Sequence, residues 1–192
     1  ARAGVGGRAA ALSFYPTKNL GGIGDGGAVL TDDASLAADV RMRRQHGMTE
    51  QYVHEAISQN FRMSEIEAGW LRVQLAVLHE ATNRRRSIAR HYRAAAPWLE
   101  WQADHEDHVY HLCVAKVADR DAFRETLAAA GVGTAVHYPL AIGSQPAYRP
   151  FLREPTPIAD DWAARCVSMP CFPEMTDAEV ERVAEVLAAS GS

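Results

Sequence analysis

The first apolar runs along the chain are short and broken by glycine. Ala9-Ala10-Ala11-Leu12-Ser13-Phe14 and Gly26-Gly27-Ala28-Val29-Leu30-Thr31 read as two strands joined by an irregular loop. Asp32 and Asp33 then offer N-caps for a helix over residues 34–45, where Leu36, Val40 and Arg44 fall on related faces and Gly47 closes the end. Residues 48–61 keep no period and hold the polar set Thr49, Gln51, His54, Gln59 and Asn60, so they read as a loop. Ser64-Glu65-Ile66-Glu67 has the capping-box pattern, in which the hydroxyl takes one free N–H and the Glu three residues on reaches back. Ile66, Trp70, Leu71, Leu75, Leu78, Ile88 and Tyr92 then hold a near-helical rhythm until Pro97 stops it. A helix of that length can connect two domains, and the division is expected inside it, giving domains 1–80 and 81–192.

The remainder has an α+β pattern. Val109 to Val117 is rich in β-branched residues and reads as a strand. A helix follows from Asp119 to Ala130 and stops at Gly131, and Val132 to Tyr138 reads as a second strand running into Pro139. Proline-rich loops lead to a short helix near 158–166. A last helix opens at Thr176 with Glu179 in capping-box position and carries Val180, Val183 and Leu187 on one side.

Composition narrows the class. The 192 residues are 47% hydrophobic and 23% charged, which excludes a disordered or collagen-like chain. Twenty Lys and Arg against 24 Asp and Glu leave a net charge of -4, with no sign of the basic face a nucleic-acid binder carries. Three cysteines, Cys113, Cys166 and Cys171, are too few for a disulfide scaffold, and the odd count fits a reducing compartment. No apolar run has the length of a membrane span, and the start lacks a signal-peptide layout. A cytoplasmic protein with no membrane partner is expected. The Ala1-Arg2-Ala3-Gly4 start reads as a processed terminus, a tag remnant or the interior of a longer protein.

Several segments carry candidate chemistry. Gly22-Ile23-Gly24-Asp25-Gly26-Gly27 formally matches the dinucleotide fingerprint, but a strand-like run follows it where that motif needs a helix, so the glycines read as a turn where backbone passes close to something. His105, His108 and His111 invite a zinc site, yet His111 lies in a strand-like run, where spacings of three alternate sides; they read as surface and strand residues with no metal. Arg84-Arg85-Arg86 would span much of a helix circumference and reads as a solvated face, with one of them paired. Cys166 and Cys171 are too far apart for a redox pair and read as core. Only two lysines occur, Lys18 and Lys116, and Lys18 stands just after an apolar strand and just before a glycine loop. Lys18 is open to two readings: an ordinary surface lysine, or an amine that loses its proton and condenses with an aldehyde, which guanidinium cannot do.

The segments Ser13-Phe14-Tyr15-Pro16-Thr17-Lys18-Asn19-Leu20-Gly21-Gly22, Gly24-Asp25-Gly26-Gly27-Ala28-Val29 and Arg44-Gln45-His46-Gly47 resemble the DegT/DnrJ/EryC1/StrS family of pyridoxal-phosphate nucleotide-sugar aminotransferases. The resemblance continues through Asn60-Phe61-Arg62-Met63-Ser64-Glu65, Val136-His137-Tyr138-Pro139, and Val167-Ser168-Met169-Pro170-Cys171-Phe172-Pro173, and covers nearly the whole chain in order. It implies an α/β fold: the C-terminal part of a fold-type-I large domain followed by a small α+β domain.

The resemblance also implies roles. Lys18 matches the lysine that holds pyridoxal 5'-phosphate and, once freed, shuttles the proton. Ser13 matches a hydroxyl bonded to the cofactor phosphate. Asn60 matches an asparagine that reaches the phosphate of the neighbouring subunit's cofactor, which implies a homodimer with shared sites. Arg62 matches a substrate-side residue, and His137 and Tyr138 match a segment lining the sugar-nucleotide entrance. The activity implied is transfer of an amino group from glutamate or glutamine to a keto-sugar nucleotide. A keto-inositol acceptor, and a non-catalytic truncated or partner subunit, are the alternatives. Relatives that dehydrate a deoxysugar have histidine at the anchoring position, and Lys18 argues against that class. The family's chains are about twice this long and this one matches their C-terminal half, so the chain by itself is expected to be inactive and to bind the cofactor weakly or not at all.

Overall fold

A computed structural model describes residues 6–191. The chain divides between His79 and Glu80 into two compact units.

In the first unit, β1 (Ala10–Ser13) pairs antiparallel with β2 (Gly27–Leu30), with Ser13 opposite Gly27 and Ala10 opposite Leu30. A strand, not the helix a dinucleotide motif needs, thus follows the glycine run. Helix α1 (Ala34–Arg43) follows, and the Asp33 carboxylate accepts from the Ser35 and Leu36 N–H groups at its start. Gly47, at a positive φ of 73°, donates to the Met42 carbonyl and turns the chain out of the helix. Residues 48–61 are not simply loop. β3 (Met48–Glu50) and β4 (Val53–His54) form a small antiparallel hairpin turned at Tyr52, whose φ is 66°. Pairing this short leaves no period to detect.

Helix α2 (Glu65–Ala95) crosses the division and ends just before Pro97. Its capping box forms by half. Ser64 Oγ accepts the Glu67 N–H at 3.2 Å, but the Glu67 carboxylate is turned inward onto the glycine loop, where its Oε1 has no hydrogen-bond partner.

The second unit holds a three-stranded antiparallel sheet in the order β5 (Glu100–Trp101), β6 (Cys113–Lys116), β7 (Cys166–Met169). Around it pack α3 (Arg120–Ala129), α4 (Pro157–Arg165) and α5 (Asp177–Ala189). The core joins Ile88 and Tyr92 of α2, Cys113 and Ala115 of β6, Leu127 of α3, Val167 of β7 and Leu187 of α5. Fully burying an Ile, Leu or Val side chain contributes about 1.5–3 kcal/mol. At α5 the capping box is complete: Thr176 Oγ1 accepts from Glu179 N–H, and the Glu179 carboxylate accepts from Thr176 N–H.

Three expectations fail here. Residues 109–112 precede the strand rather than belonging to it, with Tyr110 at a φ of 41°. Val132 to Tyr138 makes one antiparallel bridge, Ala135 to Ser168, and no strand. The arginine triplet is not a solvated face. Arg84 donates to the Met175 carbonyl and pairs with Asp177, Arg85 is buried and donates to the Cys171 carbonyl, and Arg86 donates to the His108 carbonyl. Successive helix residues point in different directions, so each reaches a different segment. All three cysteines are free and buried.

Lys116 sits 2.7 Å from Glu100 and from Asp161, and its ammonium lies over the Trp162 ring. Hydrogen bonds from Arg165 and Lys116 hold the Asp161 carboxyl at about 2, below its ordinary 3.8. A carboxyl lowered by folding stabilises the fold above its unfolded value, and that stabilisation is lost as pH falls through the folded one. The Asp161→Asn variant should therefore melt below the parent at neutral pH, with the gap closing between about pH 4 and pH 2. Parallel thermal melts across that range check it.

Candidate active site

Lys18 is carried on a hoop between β1 and β2. Phe14 closes the hoop twice: its N–H donates to the Gly26 carbonyl at 2.8 Å, and its carbonyl accepts the Gly22 N–H at 2.8 Å. Inside, Tyr15-Pro16-Thr17-Lys18 is a turn in which Lys18 N–H donates to the Tyr15 carbonyl at 2.8 Å. Proline at the second position presets the backbone for such a turn. Gly21 packs against it so closely that a Cβ there would meet the Pro16 carbonyl oxygen at 2.3 Å. From the start of α2, Trp70 Nε1 donates to the Gly21 carbonyl at 3.1 Å. Lys18 is half-buried, and Ser13, the last residue of β1, accepts the Tyr15 N–H on its Oγ at 3.3 Å.

Asn60 and Arg62 lie on a second segment, stitched to the end of α1. His46 N–H donates to the Gln59 carbonyl at 3.0 Å and Phe61 N–H to the Arg44 carbonyl at 3.0 Å. Asn60 Oδ1 accepts from the Arg62 N–H at 3.2 Å and from Arg62 Nε at 3.1 Å. Both residues are exposed.

His137 and Tyr138 belong to the second unit, where the peptide between them is cis. His137 Nδ1 is 2.8 Å from Ser168 Oγ of β7. With His111, Thr134, Ser168 and Cys171, His137 lines a cavity of about 350 Å³, while Tyr138 is exposed. The sequence-predicted residues therefore fall into three groups: Ser13 with Lys18, Asn60 with Arg62, and His137 beside Ser168. Sequence reasoning missed the contact of Ser168 with His137, since strand β7 follows α4 with no turn signal between them. It also took Glu67 for a cap.

The three histidines do not converge. His105 lies with Glu106 and Asp107 in an exposed cluster. His108 Nδ1 accepts the Tyr110 N–H at 2.9 Å, and its ring centroid lies 4.2 Å from that of Tyr110. Burial pushes the His108 imidazole down, favouring its neutral form.

Lys18 thus stands on a glycine-locked hoop with the Ser13 hydroxyl at its root, on part of an α/β fold. Solved structures share that fold. The Streptomyces venezuelae DesV structure, in complex with a ketimine intermediate, superposes with a TM-score of 0.89 at 36% identity, covering 98% of this chain and 53% of DesV. NtdA from Bacillus subtilis, with bound cofactor PMP, superposes at 0.84 and 26% identity, covering 95% of this chain and 46% of its own. Among curated proteins, the chain is 38% identical over 195 residues to the erythromycin biosynthesis sensory transduction protein EryC1 of Saccharopolyspora erythraea, covering 98% of this chain and 53% of EryC1. It is 36% identical to the dTDP-3-amino-3,4,6-trideoxy-alpha-D-glucose transaminase of S. venezuelae, covering 97% and 51%. The family model matches residues 1–188, and the chain belongs to the DegT/DnrJ/EryC1/StrS aminotransferase family. It spans about half the length of the curated relatives it matches.

Pyridoxal phosphate is the cofactor this family implies, and the residues present fit it: an amine for the aldehyde on a hoop that tolerates no Cβ at Gly21, and a hydroxyl for the phosphate. Of the two lysines, Lys116 is not available for such chemistry. It is buried, and the hydrogen bonds it donates to Asp161 and Glu100 hold it above its ordinary value. At pH 8 in the full polypeptide, acetic anhydride should label Lys18 at least about tenfold faster than Lys116, and Asp161→Asn should narrow that ratio from the Lys116 side. Peptide mass mapping measures both rates.

Proposed function

We propose that this chain is the lysine-bearing part of a pyridoxal-phosphate aminotransferase that moves an amino group from glutamate or glutamine to a keto-sugar nucleotide. The observation that carries the proposal is the placement of Lys18 on a closed hoop while Lys116 is committed to two carboxylates. Support for the acceptor class comes from relatives named as transaminases of dTDP-amino sugars, among them one of Aneurinibacillus thermoaerophilus at 38% identity.

Pyridoxal phosphate, when bound, would supply an electron sink. The chain's own residues do the rest. Lys18 is the covalent anchor, and its freed amine holds and moves the proton taken from the amino donor's carbon. Ser13 keeps its hydroxyl proton to donate to a phosphate oxygen, because its Oγ acts only as acceptor toward Tyr15. Asn60 uses Oδ1 on Arg62, which turns its NH2 into the free donor for the phosphate of a neighbouring copy's cofactor. Arg62 spends Nε on Asn60 and retains its terminal nitrogens for a carboxylate or phosphate of the substrate. His137 is held at Nδ1 by Ser168 and offers Nε2, with Tyr138, to the sugar nucleotide.

The working form is a homodimer with shared sites. In support, the Asn60 segment is flanked by Tyr52, Ile57 and Phe61, all exposed, an apolar surface that a second copy would cover.

Lys18→Arg in the full polypeptide should slow conversion of glutamate to 2-oxoglutarate by at least about a hundredfold. A single-turnover assay measures it, and a variant that keeps the parent's rate contradicts the assignment.

A further inference from the structure

We infer that Glu67 is a positioning residue for Lys18: its carboxylate, at the first turn of α2, fills the space of the absent Gly22 side chain and fixes the hoop. The inference rests on the role proposed for Lys18. Glu67 is 5% exposed, and its Oε1 has no hydrogen-bond partner. A Cβ on Gly22 would fall 1.5 Å from that oxygen, and Cβ atoms on Gly24 and Gly26 would each lie 3.8 Å from a carboxylate oxygen. The carboxylate is therefore wedged among three glycines of the run that follows Lys18.

An unsatisfied buried acceptor is costly, so the carboxylate keeps its place among the glycines against that cost. The first turn of α2 offers Glu67 a cheaper use, reaching back as the second half of its capping box, and the side chain does not take it. Instead it joins two other contacts from the same stretch. Trp70 donates to the Gly21 carbonyl, and Met63 Cε would lie 3.2 Å from a Cβ on Gly26. These three side chains hold one side of the hoop, and the Phe14 backbone closes it on itself. Gly22 is the meeting point: its N–H belongs to Phe14 and its open face to Glu67. Lys18 lies inside that closure, so the amine is placed only as well as Gly22 is held.

The fit makes a reciprocal claim. Gly22→Ala puts a methyl where the carboxylate stands, and Glu67→Ala leaves that space empty. Each alone should loosen the hoop, and the two together should restore part of the packing, since the methyl takes room the carboxylate has left. Glu67→Gln keeps the shape and should hold the hoop as the parent does.

The test uses the full polypeptide stripped of cofactor, with two readouts: amide hydrogen exchange in residues 14–22 and the rate at which acetic anhydride labels Lys18. Glu67→Ala and Gly22→Ala should each raise both by about fivefold or more. Glu67→Gln should stay within about twofold of the parent, and the double variant should fall below both singles. Lys116 labelling, read in the second unit, should not change. With cofactor restored, Glu67→Ala should lower kcat with little change in KM for glutamate, and Glu67→Gln should recover it. Unchanged exchange and labelling in Glu67→Ala, or a double variant as loose as the two singles combined, overturns the inference. If Gly22→Ala fails to fold, the Glu67→Ala and Glu67→Gln pair still decides. Loss of cofactor attachment at Lys18 in the parent protein would remove the proposed function and leave the hoop result standing.

Discussion

The backbone of Phe14 is the constraint on which the first unit turns. One residue gives its N–H to Gly26 and takes the N–H of Gly22, so a single peptide-length stretch closes the hoop around Lys18 from both ends. Both bonds require the chain after Lys18 to double back within van der Waals distance of itself. Gly21 against Pro16 and Gly22 against Glu67 show how little space that leaves. A reactive amine on an ordinary exposed loop would sample many orientations, and each lost orientation would have to be recovered when substrate binds. Here the turn at Pro16, the glycines and the contacts from α2 restrict the amine's base before any ligand arrives.

The two units differ in how they reach stability. Among the described residues, the buried hydrophobic side chains lie in the second unit with the exception of Leu71. The first unit is held mainly by backbone bonds and caps, and leaves Leu12, Ile23, Val29, Leu30 and Trp70 exposed. The chain spans about half of its relatives' length, and the hoop is built on the unit with the smaller apolar core.

Elements with strong local chemistry were legible in the sequence. The rhythm of α2, the Asp33 cap of α1 and the Thr176–Glu179 box of α5 follow from side chains acting on their own helix ends. What escaped depends on partners distant in sequence. β5 and β7 are short and exist because they flank β6, and the Val132–Tyr138 run fails as a strand because it finds one bridge only, at Ser168. Arg85 looked solvent-facing until the Cys171 segment, 86 residues on, covered it. At the candidate site, Lys18 stood out by its rarity and its glycine neighbours. Glu67 did not, since its pattern fitted a helix cap and nothing local says that the side chain turns to Gly22 instead.

The direct measurement is borohydride reduction of the full polypeptide after incubation with pyridoxal phosphate, followed by peptide mass mapping. An anchoring Lys18 puts the reduced pyridoxyl group on the peptide that contains it. A pyridoxyl group on a different residue, with Lys18 unmodified, contradicts the assignment on which the proposed chemistry stands.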